Sequence, residues 1–223
     1  MDPFRLCLGL GPAAIYLCLL GTISLSRRPL LVSGIRDAAT LALAVSGLVV
    51  IGPMELFFPF AAAAKFGPHV WLLLLALYAM CVILWLLVLR PRLVIYNVPA
   101  DKLRPILADA VNSLDAEARW AGESLALPDL GVQLYVDGFA MLRGASLIAA
   151  GGRQSQSGWR RLEAALAGAL SREEVARNPR GLVLLLAGLL CLSAILWTIT
   201  QNPQAIAHSL SAVVQSLVRM VGL

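Results

Sequence analysis

The chain has 223 residues, of which 59% are hydrophobic and 14% charged, and its formal net charge at pH 7 is +5. Soluble domains carry roughly 25% charged residues, so this composition excludes an ordinary soluble protein and is typical of a protein that crosses a membrane. A basic surplus can indicate nucleic acid binding, but in a membrane protein it is expected on the cytoplasmic side, and we predict no nucleic acid partner.

The first apolar run covers residues 6–25 and contains no charged residue. Because an α-helix rises about 1.5 Å per residue, a helix of this length crosses a hydrocarbon core of about 30 Å. A cleaved signal peptide is the alternative, but no clear small-residue cleavage site follows the run. Arg27 and Arg28 come directly after it, which favours a helix that is retained as a membrane anchor.

The second apolar run, at 38–54, is short for a membrane span. Its small residues Ala38, Ala42 and Ser46 recur at every fourth position, and this spacing lets two helices approach closely. We therefore predict that this helix packs inside a helical bundle. The dipeptide Gly52-Pro53 should end or kink the helix, because proline has no backbone N–H to donate.

The apolar stretch that follows is too short to span a membrane, and we interpret residues 55–68 as an interfacial segment. Glu55 and Lys65 bracket this stretch. A charge held at membrane depth is a hypothesis for a functional site, so both residues are candidate functional membrane charges. The alternative is that both lie at the level of the lipid headgroups, where a charge costs little free energy.

The third and fourth apolar runs, at 70–89 and 181–200, are each long enough to span a membrane. The third consists mostly of bulky side chains, and we predict that it is the most exposed to lipid. None of the four runs contains Asp, Glu, Lys, Arg or His. Ion-coupled transporters usually need such residues, so this argues against transport without excluding a pore made by oligomerisation.

Residues 91–180 contain ten of the thirteen acidic residues, which is the composition of a water-facing domain. The pattern predicts a strand over 92–98 and a helix over 101–114 that is capped by Asp101. The predicted fold class is therefore membrane α-helical, with about four transmembrane helices and a small soluble α+β domain inserted between helices 3 and 4.

Turn signals divide the rest of this domain. Gly122-Glu123 and the stronger signal Asp137-Gly138 each predict a hairpin turn between two strands. A helix is expected from Trp159, and Ser171-x-x-Glu174 matches a capping box that would start a further short helix.

The last segment, residues 203–222, predicts an amphipathic helix of low charge. We expect this helix to lie flat on the outer membrane surface or to cap the bundle. Insertion into the groove of a partner is the alternative.

No motif in the chain names a reaction. A nucleophile elbow, a Walker A loop, a Rossmann fingerprint and a zinc-protease helix are all missing from the sequence. The four cysteines are scattered within apolar runs and the two histidines are far apart, so metal-ligand spacing is absent. We predict no catalytic residue, no metal site and no cofactor.

The loop at 151–161 combines glycines with Arg153, Trp159, Arg160 and Arg161. Arginine is attracted to anionic headgroups and tryptophan favours the membrane interface, so these four residues are candidates for contact with lipid headgroups. A glycine-rich basic loop can also cradle phosphate, although the spacing here matches no phosphate motif. An ordinary solvated loop is the simplest alternative.

The distribution of Lys and Arg near the span ends predicts the orientation. One side carries Arg27, Arg28, Arg36, Arg90, Arg92, Arg172, Arg177 and Arg180, and the other carries Arg5, Lys65 and Arg219. We expect a multi-pass protein of the plasma (inner) membrane, with the 91–180 domain in the cytoplasm and both termini outside.

Three functions are compatible with this organisation. The leading hypothesis is a non-enzymatic membrane anchor or scaffold whose cytoplasmic domain binds a protein partner or a second copy of the chain. The alternative is a subunit of a transporter or channel, with the kinked 52–68 region at a gate. A membrane enzyme that acts on lipid near the 153–161 loop is a third hypothesis.

Overall fold

The structure of the protein is a computed structural model. It describes residues 3–67, 69–139, 143–152 and 154–201, together with scattered positions between 203 and 218; the side chains of Ala100 and Asp101 are not described.

Over the residues that the structure describes, the protein is mostly helical, and four of its helices are long and apolar enough to cross a membrane. These helices are α1 (Pro3–Leu25), α2 (Gly34–Val49) with the π turn that extends it (Val50–Met54), α4 (His69–Val88) and α7 (Arg180–Gln201). The shorter helices are α3 (Phe60–Phe66), α5 (Ala100–Asn112) and α6 (Gln156–Ser171). Each of the four predicted apolar runs falls largely within one of the long helices.

The second long helix is the most buried of the four, as its small residues predict. Within its most apolar window 28% of the residues are buried, against 6% for α4, which is the least buried. Gly47 lies so close to α1 that an added Cβ would overlap the carbonyl oxygen of Leu8. Tyr78 of α4 donates its hydroxyl to the carbonyl of Ala42 at 2.7 Å.

The prediction that Gly52-Pro53 ends or kinks the second helix is confirmed. At Val50 the regular α-helix gives way to one π turn that contains Pro53. Proline removes one backbone donor and its ring crowds the preceding turn, so the wider π turn accommodates it.

A six-stranded antiparallel sheet accompanies the helices. Its strands are β1 (Leu30–Ser33), β2 (Arg92–Tyr96), β3 (Arg119–Ala121), β4 (Ser124–Leu127), β5 (Val132–Phe139) and β6 (Gly144–Ala149). Their order across the sheet is β1-β2-β6-β5-β4-β3. The central β2 and β6 pair Leu93 with Leu147, and β5 pairs Val136 with Leu147 on the other side.

Strand β1 lies between the first two long helices in the chain, and the sequence did not predict it. Leu31 pairs with Ile95 and Val32 with Val94, so β1 forms one edge of the sheet beside β2. Four residues are too few to establish a period of two, and their pairing partner is distant in sequence.

Helices α5 and α6 pack on one face of the sheet, which matches the predicted α+β pattern. The core between them contains Leu93, Ile95, Leu103, Leu107, Val111, Leu134, Leu147, Leu162, Leu166 and Leu170, all at most 3% exposed. These positions follow a period of two on the strands and of three or four on the helices, so one face of each element is apolar.

Of the two hairpin turns predicted in this region, one is wrong and one is confirmed. Asp137 and Gly138 do not form a turn; they lie within β5 and pair with Ser146 and Ala145 of β6. The hairpin at Gly122-Glu123 is confirmed, since Ala121 pairs with Ser124 across it.

The predicted capping box at Ser171 does not start a helix, because Ser171 is the last residue of α6. The residues between α6 and α7 that follow the turn at Arg172 are not helical. The residue that caps the start of α6 is Ser155, whose hydroxyl accepts the backbone N–H of Gly158 at 3.1 Å.

The chain forms two compact units. The first consists of Met1–Cys18, Ala39–Val88 and Leu186–Leu223, and the second of Leu19–Ala38 and Leu89–Leu185. The second unit, which we call the sheet unit, therefore includes the end of α1, β1 and the start of α2 as well as the later strands. Most of the predicted 203–222 helix, including His208 and Ile206, lies outside the described residues.

Candidate functional site

A partly buried polar cluster joins the start of α2 to the sheet within the sheet unit. Arg92 and Tyr96 begin and end β2, and because they are four residues apart they point to the same face of the sheet. Asp37, in the first turn of α2, accepts the Tyr96 hydroxyl at 2.5 Å and the Arg92 guanidinium at 3.3 Å. The three groups thus tie a helix end to a central strand through a charge-assisted pair.

The turn after α1 is tied to the same unit by three hydrogen bonds. Asn97, with φ of 65°, donates its side-chain amide to the carbonyl of Ser26 at 2.6 Å. The backbone N–H groups of Val175 and Asn178 donate to the carbonyls of Arg27 and Ser24 at 2.9 and 3.0 Å. The segment before α7 is therefore fixed against the end of α1.

Asn97 and Asn178 are both 1% exposed. The side-chain oxygen of Asn178 accepts the backbone N–H of Arg180 at 3.2 Å and so caps the start of α7. The side-chain oxygen of Asn97 (Oδ1) and the side-chain nitrogen of Asn178 (Nδ2) have no hydrogen-bond partner among the described residues. Buried polar atoms of this kind commonly bind an ordered water molecule.

A shallow groove of about 420 Å³ opens beside this tie. We call it the junction groove; it is lined by Arg27, Glu174, Val175, Ala176 and Arg177. Both arginines are exposed, whereas Val175 is buried and carries the backbone contact to Arg27. The groove therefore presents two guanidinium groups and one carboxylate on a fixed backbone.

The face of the sheet opposite α5 and α6 is exposed along β5. Gln133, Tyr135 and Asp137 are exposed there, although β5 lies between β4 and β6 and is not an edge strand. The negative charge of Asp137 is the main cause that raises the pKa of Tyr135 above its ordinary value. A tyrosine hydroxyl is neutral at pH 7 in any case, and it can both donate and accept a hydrogen bond.

The structure describes three of the four residues that were predicted to contact lipid headgroups. Arg153 lies outside the described residues, and Arg160 and Arg161 are exposed on α6. Trp159 is only 7% exposed and donates its indole N–H to Gln154 at 3.0 Å. Burial removes Trp159 from any surface that a headgroup would touch, because its ring belongs to the core.

The two candidate membrane charges do not pair with each other. Glu55 forms an ion pair with Arg5 at 2.7 Å, while the Lys65 ammonium lies 5.7 Å from the ring centre of Phe66. The Arg5–Glu55 pair is partly exposed, so it contributes little to stability. Arg5 also lines a mostly apolar groove of about 500 Å³ with Gly9 and Gly52, beside the π turn.

Sequence reasoning missed Asp37, Asn97 and Asn178. Asp37 gave one signal, since an acidic residue in a first helical turn is favoured by the helix dipole, but its contacts with β2 depend on the tertiary fold. Asn178 gave a weak signal, because asparagine is a preferred helix cap, but its contact with Ser24 depends on the tertiary fold.

Within the described ranges, no three His, Cys, Asp or Glu side chains lie close enough to bind a metal ion. The clusters above can hold elements together and can attract anions. No family model, no curated protein and no solved structure matches the chain.

Proposed function

We propose that the protein is a non-enzymatic membrane anchor that presents its sheet unit to a protein partner or to a second copy of the chain. In this proposal the four long helices cross the plasma membrane, and residues 91–180 form the α+β domain inserted between the third and fourth spans. The domain faces the cytoplasm and both termini lie outside.

The observation that carries the proposal is which segments of the chain make up the sheet unit. Leu19–Ala38 and Leu89–Leu185 belong to one compact unit, so the sheet shares that unit with the end of one apolar helix and the start of another. The Asp37 cluster and the backbone bonds at Ser24 and Arg27 support this. A scaffold needs such a fixed attachment, because rigid presentation lowers the entropy lost on binding.

The exposed face of β5 is the surface that we assign to the partner. Tyr135 is 38% exposed although β5 is an interior strand of the sheet. Asp137 follows two residues later on the same strand, so both side chains lie on the same exposed face. Tyrosine is enriched among the residues that dominate interface energies, since it offers a large rigid ring together with a polar tip.

The test is affinity purification of the tagged full chain from native membranes in mild detergent, followed by mass spectrometry. We expect a stoichiometric partner that is lost from Tyr135→Ala and retained by Arg160→Ala, a matched exposed position on α6. Glu55→Gln should retain the partner as well. Equal recovery from all variants contradicts the assignment of this face, and a chain that purifies alone as a monomer contradicts the proposal.

A subunit of a transporter or channel is the second candidate. The Arg5–Glu55 pair favours it, because the pair lies beside a π turn and a groove of about 500 Å³, and π turns are frequent at functional sites. In liposomes that contain the purified chain, this function requires ion or solute flux that falls with Glu55→Gln. Flux that is absent, or unchanged by Glu55→Gln, speaks against it.

A further inference from the structure

The junction groove is lined by two arginines that have no role in the proposed scaffold function or in the transport alternative. Arg27 and Arg177 line it from two chain segments that are far apart in sequence. Their backbones are held together on both sides, since Val175 N–H donates to the Arg27 carbonyl and Asn178 N–H donates to the Ser24 carbonyl. The two guanidinium groups are therefore attached to one fixed frame rather than to a loose loop.

The two arginines of the groove form no ion pair within the part of the chain that the structure describes. The one carboxylate that lines the groove, Glu174, is exposed. Guanidinium groups bind phosphate oxygens through two parallel N–H donors, so a pair of free arginines on one frame is suited to a phosphate group.

The position of the groove along the chain points to the source of that phosphate. Arg27 comes two residues after α1 ends at Leu25, and Arg177 comes three residues before α7 begins at Arg180. Both helices are long and apolar enough to cross a membrane. Basic residues directly beyond the ends of spans lie at the level of the lipid headgroups, and the cytoplasmic leaflet is rich in anionic lipid.

We propose that the junction groove binds the phosphate group of an anionic phospholipid through Arg27 and Arg177. The inference rests on the membrane insertion of α1 and α7 that the proposed function includes. Ala176 and Val175 form the apolar wall of the groove, against which the glycerol part of the lipid lies. Glu174 opposes binding, because a carboxylate repels the phosphate.

The test measures lipid binding by native mass spectrometry of the purified full chain in neutral detergent, titrated with phosphatidylglycerol. Each arginine near an anionic headgroup contributes enough to change affinity about fivefold, so we expect Arg27→Gln with Arg177→Gln to weaken binding about 25-fold. Glu174→Gln should tighten it. All three positions are exposed, so the variants should keep the thermal unfolding midpoint of the parent chain.

The control is a second pair of exposed arginines, changed together as Arg160→Gln and Arg161→Gln, which should bind phosphatidylglycerol as the parent does. Phosphatidylcholine, which has no net charge, should bind at least tenfold more weakly. Inorganic phosphate at millimolar concentration should not displace the lipid; displacement would assign the groove to a free anion instead.

Unchanged binding in the Arg27/Arg177 variant overturns the inference, as does a loss confined to the Arg160/Arg161 variant. This outcome is separable from the fate of the scaffold proposal, because the measurement uses the purified chain and no protein partner. A chain that remains soluble and monomeric without detergent would instead contradict the membrane insertion on which both proposals depend.

Discussion

Asp37 is the residue on which the attachment of α2 to the sheet depends. Replacement by alanine leaves the Arg92 guanidinium and the Tyr96 hydroxyl, both largely buried, without this shared acceptor. Losing a charge-assisted hydrogen bond of this kind costs about 1–3 kcal/mol. We expect Asp37→Ala to lower the thermal unfolding midpoint in detergent clearly, while Asp109→Ala, an exposed position on α5, leaves it unchanged. Equal midpoints for the two variants would show that the cluster does not stabilise the unit.

A second prediction for a single residue concerns Gly47, which lies in the first compact unit. A Cβ at Gly47 would overlap the carbonyl oxygen of Leu8, and a backbone atom cannot move aside as a side chain can. Overpacking of this kind costs about 1–3 kcal/mol, so Gly47→Ala should lower the unfolding midpoint.

The matched control is Gly11→Ala in α1, where an added Cβ meets no heavy atom within 4 Å. Its midpoint should not fall, because alanine forms helices better than glycine does. A loss of stability as large in Gly11→Ala would mean that helix propensity or lipid contact, rather than close packing at Gly47, sets the effect.

Some single residues were predictable and others were not. The small residues of α2 predicted close packing, because spacing alone places them on one helical face. Trp159 was assigned to a membrane interface from its neighbours Arg160 and Arg161. Its spacing with Leu162 and Leu166 instead indicated burial, because the three residues lie on the same face of α6 and that face is buried.

At the scale of elements, α6 offers a direct comparison between two candidate caps. The hydroxyl of Ser155 accepts the backbone N–H of Gly158 and caps the helix start, whereas that of Ser171 only donates to the Gly168 carbonyl near the helix end. Removing an N-cap costs about 1 kcal/mol. We expect Ser155→Ala to lower the free energy of unfolding by about that amount and Ser171→Ala to leave it nearly unchanged. A larger loss of stability in Ser171→Ala than in Ser155→Ala would contradict this assignment and support the capping box predicted at Ser171.

The long elements follow from the sequence because their signal is local. Twenty apolar residues without a charge specify a helix whatever the rest of the chain does. Strand β1 and the extension of β5 through Asp137 and Gly138 depend instead on pairing with β2 and β6, and turn propensity yields to that pairing. The candidate site could not be assembled from the sequence for the same reason, since the contacts of Asp37 with β2, of Asn97 with Ser26 and of Asn178 with Ser24 form only in the fold.

At the scale of the whole molecule, the sheet unit and the four apolar helices explain why the chain combines a soluble-like segment with a membrane-like composition. The residues that face water in the sheet unit carry most of the acidic side chains, and the long helices carry none within their apolar runs. The apolar runs that we predict to span the membrane contain no charged residue, and this is one reason why we propose an anchored platform first and a transport subunit second.

The central proposal is that the four long helices cross the membrane and that the domain at residues 91–180 lies on its cytoplasmic side. Its most direct test is thiol labelling in intact cells with an impermeant reagent, using Gly152→Cys in the sheet unit and Ala64→Cys in the interfacial segment. Both positions are exposed. We predict that Ala64→Cys is labelled from outside, whereas Gly152→Cys is labelled only after the cells are opened. Labelling of Gly152→Cys in intact cells, with Ala64→Cys protected, would contradict the account.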